Sequence, residues 1–279
     1  PSCLIFSREK KLAMIVSLLL ILLFSIPAVP LTLIGAPSRP PSCLPLMMSN
    51  LDDFPSDTTP AFDPGTSARD ALLTACKEAA GEVDSGQLSR LVSSLPSSPL
   101  STPPTSKWSL LHATTDRTRS SPFFASFTSA IGEEKSKQIY SITDSIPSPL
   151  KSVGEATQTF EEDESLASRG TLVSRVVISA LGGLSSSVMT SRCSYSAEGS
   201  DLQIKVLTTK PEESTIVSLL PDPLKSAAES FPAFPSGEAL RMANGGADVE
   251  ITSEEVYVDD FCRVNRMGGE MFVWERVYS

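Results

Sequence analysis

The sequence predicts an all-β protein, an antiparallel sheet that closes into a barrel behind a few short helices. Three observations carry this. From Trp108 onward, segments rich in β-branched and aromatic residues follow one another without long crossover helices, which argues against a parallel sheet. Leu202, Ile204 and Val206 alternate with Gln203 and Lys205, the period of a strand buried on one face. The chain then ends in two alternating runs around Gly268-Gly269, a pair that tolerates the positive φ of a tight hairpin turn. A count of eight or nine strands follows, about the size at which a barrel interior holds one small ligand.

Taken in order, Arg8, Lys10 and Lys11 precede an apolar run, Leu12 to Ile26, that stops at Pro27. Its length suits a signal-peptide core better than a span of about 20 residues. The stretch to Asn50 has Ser, Pro and Arg39 but no acidic residue, as in a transit peptide. Residues 1–50 read as a bipartite presequence, with a plain secretory signal or a membrane anchor lengthened through Gly35 as the alternatives, and 51–67, with Pro55, Pro60 and Pro64, as a linker to one domain over 68–279. Within that domain, Ser67 is placed to cap a helix running through Cys76 to Ala80. Leu88, Leu91, Val92 and Leu95 give a second helix over Ser85–Leu95. Prolines 96, 99, 103 and 104 exclude regular structure before the first strand at Trp108. Further strands are expected at Gln138–Ile142, Leu172–Ile178, Val188–Tyr195, Leu202–Val206, Ser214–Leu220 and Val249–Ile251. Ala197-Glu-Gly-Ser and Gly182-Gly-Leu-Ser read as turns, and Glu161–Glu164 as a solvated loop.

Composition narrows function. The chain carries a formal charge of −10, and after Ser67 it still has 19 basic against 28 acidic residues. No basic stripe exists to displace counterions, so nucleic-acid binding is not expected, and neither is docking on anionic lipid by charge. Five cysteines, three of them in the body and none in a CxxC pair, point to a reducing compartment. His112 is the sole histidine, which rules out a two-histidine metal site within this chain. There is no Gly-x-Ser-x-Gly elbow, phosphate loop or dinucleotide fingerprint. No catalytic residue, metal ligand or cofactor is assigned.

Binding signals are stronger. Phe123, Phe124, Phe127, Phe231 and Phe234 sit in Pro/Ser-rich segments that a solvated loop would leave polar. They form either a lid folded back on the barrel or a mouth that touches lipid, and they are the candidate membrane contacts. In the terminal hairpin a two-residue Gly268-Gly269 loop sets Arg266 opposite Met271, Val264 opposite Val273, and Arg263 opposite Trp274. One of the two arginines then faces the barrel interior and needs a partner: Asp259, Asp260 or Glu275, or the polar end of a ligand. Arg263, Arg266, Trp108 and Trp274 are the candidate ligand-binding residues. Glu254-Glu255 and Asp259-Asp260, being adjacent, point apart or face water.

Several of these stretches resemble the plastid lipid-associated proteins, or fibrillins. The terminal run Val256–Val277 is similar to that family's C-terminal signature. Lys107-Trp-Ser-Leu-Leu-His-Ala-Thr-Thr resembles its Gly-x-Trp-x-Leu-x-Tyr-Thr-Thr strand, with the glycine absent and His112-Ala113 in place of the aromatic centre. Ser121-Pro-Phe-Phe, Ile142–Gly154, Leu172–Val176, Thr208–Thr215 and Phe234–Leu240 follow in order. The resemblance implies a lipocalin-like barrel in a plastid, at plastoglobules or thylakoids. There it would bind or organise apolar lipids such as carotenoids, quinones and tocopherols without catalysing a reaction. A protein-assembly adaptor using the outer barrel surface is the alternative, and an enzyme relying on His112 a third.

Overall fold

The computed structural model describes residues 64–79, 83–96, 106–147, 150–163, 168–230 and 232–278. Residues 1–50, expected as a presequence, most of 51–67, expected as a linker, and Phe231 lie outside them. The elements are α1 (Pro64–Glu78), α2 (Ser85–Ser93), β1 (Ser106–Ala113), α3 (Pro122–Ile131), α4 (Glu133–Asp144), β2 (Lys151–Glu162), β3 (Arg169–Ala180), β4 (Ser185–Glu198), β5 (Asp201–Glu212), α5 (Thr215–Ser218), α6 (Asp222–Glu229), α7 (Ser236–Ala243), β6 (Ile251–Val258), β7 (Cys262–Met267) and β8 (Glu270–Val277). The eight strands pair antiparallel in chain order, and β1 closes on β8, so the sheet is a lipocalin-like up-and-down barrel with no free edge.

The terminal hairpin has the predicted register, with Arg263 opposite Trp274, Val264 opposite Val273 and Arg266 opposite Met271. Gly268 and Gly269 have φ values of 61° and 85°, the left-handed region that a two-residue turn between twisted strands requires. Leu202, Ile204 and Val206 all face the core.

Helices α3, α6 and α7 are absent from the sequence-based expectation, and three further elements differ from it. Gln138–Ile142 lies in helix α4, not in a strand. Glu133 and Glu134 favour a helix N-terminus, and Tyr140 packs against Phe124 and Phe127. Five residues of strand propensity lose to that context. Within Ser214–Leu220 the chain makes a single helical turn, whose Thr215 hydroxyl accepts a hydrogen bond from the Ser186 amide at 3.0 Å. Strand β2 was not foreseen because its inward residues include Ala156 and Gln158, which show no apolar alternation. Helix α1 begins at Pro64, three residues before its expected cap, and Asp84 caps α2, accepting from the Gly86 and Gln87 amides.

The barrel has two cores. One fills its bore. The other lies outside, where Leu72, Leu73 and Cys76 of α1 and Leu88 and Val92 of α2 cover Tyr257, Cys262, Val264 and Val273. Strand β7 is therefore buried on both faces.

Asp259 pins the helices to this outer face. Its carboxylate accepts the amides of Phe261 (2.7 Å) and Cys262 (2.6 Å), the Tyr257 hydroxyl (2.7 Å) and Arg69 of α1 (3.1 Å). Burial opposes its ionisation, but these donors outweigh burial and hold the carboxyl below the ordinary range. A depressed carboxyl contributes stability that is fully present above its unfolded-state value, about 3.9, and is lost as pH falls through the folded value. Acidification below about pH 4 should therefore loosen α1 before the barrel, read as proteolytic cleavage within 64–78. If Asp259→Asn gave the same acid profile, Asp259 would not be the pin.

Candidate functional site

Two regions bring candidate residues together. The first is the middle of the bore. Arg263 is 1% exposed and points inward. Its Nε and Nη2 each donate to the Glu255 carboxylate at 2.6 Å, and Nη1 donates to Gln158 Oε1 at 2.7 Å. The guanidinium lies 4.8 Å from the Phe160 ring centre and 5.8 Å from that of Trp274. Ser253 donates to Glu255, Asn265 donates to Ser253, and Trp274 Nε1 donates to Asn265 Oδ1 at 2.7 Å. Gln158 donates to the Ser120 carbonyl.

The arginine's partner is thus Glu255, not Asp259, Asp260 or Glu275. Strand alternation explains the sorting. Glu254 and Arg266 are Cα partners on the outer face and form an exposed pair at 3.1 Å, while Glu255 faces inward with Arg263. The expectation that Glu254 and Glu255 point apart holds, but one of them points into the barrel rather than to water. A bidentate pair with a third bond to Gln158 ties this arginine of β7 to two other strands, β6 and β2. Trp108 and Trp274 are both fully buried in the bore.

The second region is the mouth. Of the two readings of Phe123, Phe124 and Phe127, the structure has the lid folded back on the barrel, and their assignment as exposed membrane contacts is corrected. Pro122 starts a helix there, and its apolar face turns inward, leaving the three rings 5%, 5% and 0% exposed. They form one aromatic cluster with Tyr140, so α3 is a lid that plugs the barrel. Phe234 is half-buried and extends the sheet, exchanging two 2.9 Å backbone hydrogen bonds with Thr209. The burial of these rings follows from the 3.6-residue spacing of Phe123, Phe127 and Ala130, a signal present in the sequence.

Between the plug and the β7–β8 turn lies a cleft of about 740 Å³. Phe124, Ile251, Met267 and Phe272 supply its apolar surface, and Arg119, Glu133, Lys137, Glu250 and Glu270 its charged rim. Tyr140 lines it and donates to the Phe124 carbonyl at 2.8 Å. Burial pushes its phenol up to about 12, so it remains a neutral donor. Such a cleft is within the size range of small-molecule sites, and its chemistry fits an amphipathic ligand. A second, polar groove of about 650 Å³ runs past Glu161, Glu162, Asp163, Arg169, Lys205 and Glu250.

Among the described residues, no histidine or cysteine lines either cleft. His112 lies opposite Val273, a residue of the outer core, and lines neither of them. Among the described residues no group of three or more His, Cys, Asp or Glu is arranged to hold a metal ion, and no helix is long and apolar enough to cross a membrane. Cys76, Cys193 and Cys262 are buried thiols, and burial raises Cys76 to about 11 and Cys193 to about 12, away from reactive thiolate. Comparison of the chain with family models, with curated proteins and with solved structures returns no match.

Proposed function

We propose that this protein binds an apolar or amphipathic lipid at the mouth of its barrel and works at a lipid surface, without catalysing a reaction. The mouth cleft carries this reading, because apolar side chains line it beneath a charged rim. The isoprenoid class of the lipid and a plastid location, at plastoglobules or thylakoids, rest on the sequence resemblance alone. With Phe123, Phe124 and Phe127 buried, contact with the lipid surface falls to other residues. Leu184, Leu219 and Leu224 are 81%, 83% and 59% exposed, and the Ser186–Thr215 hydrogen bond joins the segments that carry them. The alternative, an adaptor for plastid enzymes or photosynthetic complexes, draws support from a mid-bore filled by protein side chains around Arg263.

Mass spectrometry of extracts from the purified protein should find a stoichiometric lipid. Ser129 is exposed on the cleft wall, so Ser129→Trp should remove most of that lipid and leave the melting temperature unchanged. A protein free of lipid, or a Ser129→Trp variant that keeps it, would overturn the reading in favour of the adaptor. Leu184→Ser/Leu219→Ser/Leu224→Ser should likewise stop flotation with neutral vesicles. Flotation equal to wild type would remove these leucines from the surface contact.

A further inference from the structure

The inward-facing row at mid-barrel is polar. Trp108, Gln158, Ser174, Ser191 and Thr209 are successive Cα partners across β1 to β5, and all are buried. Helix α3 and the turn before it sit on this row: Ser121 Oγ lies 3.3 Å from Ser191 Oγ, and Gln158 bonds the Ser120 carbonyl. Two members of the row lack a hydrogen-bond partner. The indole N–H of Trp108 (0% exposed) has no acceptor, and the hydroxyl of Ser174 (1% exposed) bonds nothing. On the plug itself the fully buried Ser126 hydroxyl is also unpaired. Buried polar groups are ordinarily satisfied, and leaving one unmade is costly. Here two of them sit on the barrel wall, on β1 and β3, and the third on the plug that packs against it.

Resting on the lipid-binding reading above, we propose that α3 is a displaceable plug, and that the bore beneath it receives an apolar molecule ending in a carbonyl group. The ligand's apolar body replaces the rings of Phe123, Phe124 and Phe127, which are the apolar filling of that space. Its polar end is set by the row. An indole N–H only donates, so its partner is an acceptor, and a carbonyl oxygen has a second lone pair for the Ser174 hydroxyl. Trp108 and Ser174 flank Gln158, about 10 Å apart at two strand spacings, within reach of one group through the long indole. The mouth cleft runs along the plug and gives the route in. Gly132, at φ 91°, joins α3 to α4 and has no atom within 4 Å of an added Cβ, so the joint is unobstructed.

The plug can be locked. A Cβ built on Gly268, in the β7–β8 turn, falls 3.8 Å from the Ala125 Cβ of α3, inside the disulfide range of about 3.5–4.5 Å. The test uses dodecanoyl-dimethylaminonaphthalene, an apolar chain and fluorophore joined through a ketone, with Ala125→Cys/Gly268→Cys and Trp108→Phe. The cross-link is located by peptide mass. Wild type and the reduced double variant should bind with a blue shift in probe emission. Oxidation should weaken binding about tenfold or more, and a dithiol reductant should restore it. Trp108→Phe should bind about tenfold less tightly than wild type at a temperature where both are fully folded. Equal binding by the oxidised and reduced forms would overturn the plug and leave the mouth site standing. Loss on oxidation with Trp108→Phe unaffected would overturn the carbonyl contact. No binding by wild type in any state would overturn this inference and the lipid-binding reading together.

Discussion

Glu255→Ala is expected to destabilise the protein by about 3–5 kcal/mol, the usual cost of removing one partner of a buried ion pair. Arg263 is 1% exposed and would retain only its bond to Gln158 inside a bore walled by Phe160 and Trp274. Arg263→Met should cost a similar amount by stranding the carboxylate. The double variant Arg263→Met/Glu255→Leu should recover most of the loss, because apolar replacements of a buried pair are often neutral or stabilising. Urea unfolding followed by tryptophan emission reads all three, since Trp274 abuts the guanidinium. Arg266→Met, on the exposed outer pair, should stay within about 0.5 kcal/mol of wild type. Single Glu255 and Arg263 variants as stable as wild type would mean that the pair does not hold the bore together.

Phe127→Ala should cost about 3–5 kcal/mol, as for other large aromatic truncations in a core. The ring is fully buried and packs against Phe123 and Tyr140. This outcome separates a plug from a membrane contact. A lipid-facing phenylalanine would lose vesicle binding and keep its melting temperature, whereas a plug loses stability first. Retained stability with lost flotation would return Phe127 to the surface role that its sequence context suggests.

Much of the fold was legible in the chain, for local reasons. The hairpin register follows from a two-residue glycine turn and the strict period of two, and no later packing alters it. The alternation at Leu202–Val206 and the helical spacing at Leu88–Val92 are likewise local. Where the structure departs, competing context decides. Gln138–Ile142 has strand-forming residues, but the acidic first turn and the seat for Tyr140 against Phe124 make it helix. Neither Gln158 nor Glu255 is legible as an inward residue, because polar residues in a strand read as its outer face. Inside this barrel they satisfy each other through Arg263 instead.

The sequence by itself determined that one of two arginines points into the barrel and the other out, because alternate residues of a strand face opposite sides. Which one it is was decided only by tertiary structure. The face bearing Cys262, Val264 and Val273 is the more apolar, and by burial alone it belongs inside. Helices α1 and α2 cover that face from outside, so its apolar side chains find a core without entering the bore. Arg263 and Asn265 take the interior, where Glu255 and Ser253 of the adjacent strand β6 and Gln158 of the sequence-distant strand β2 pair with them. Local periodicity sets which residues share a face. Which face is inside depends on what the rest of the chain lays against each one.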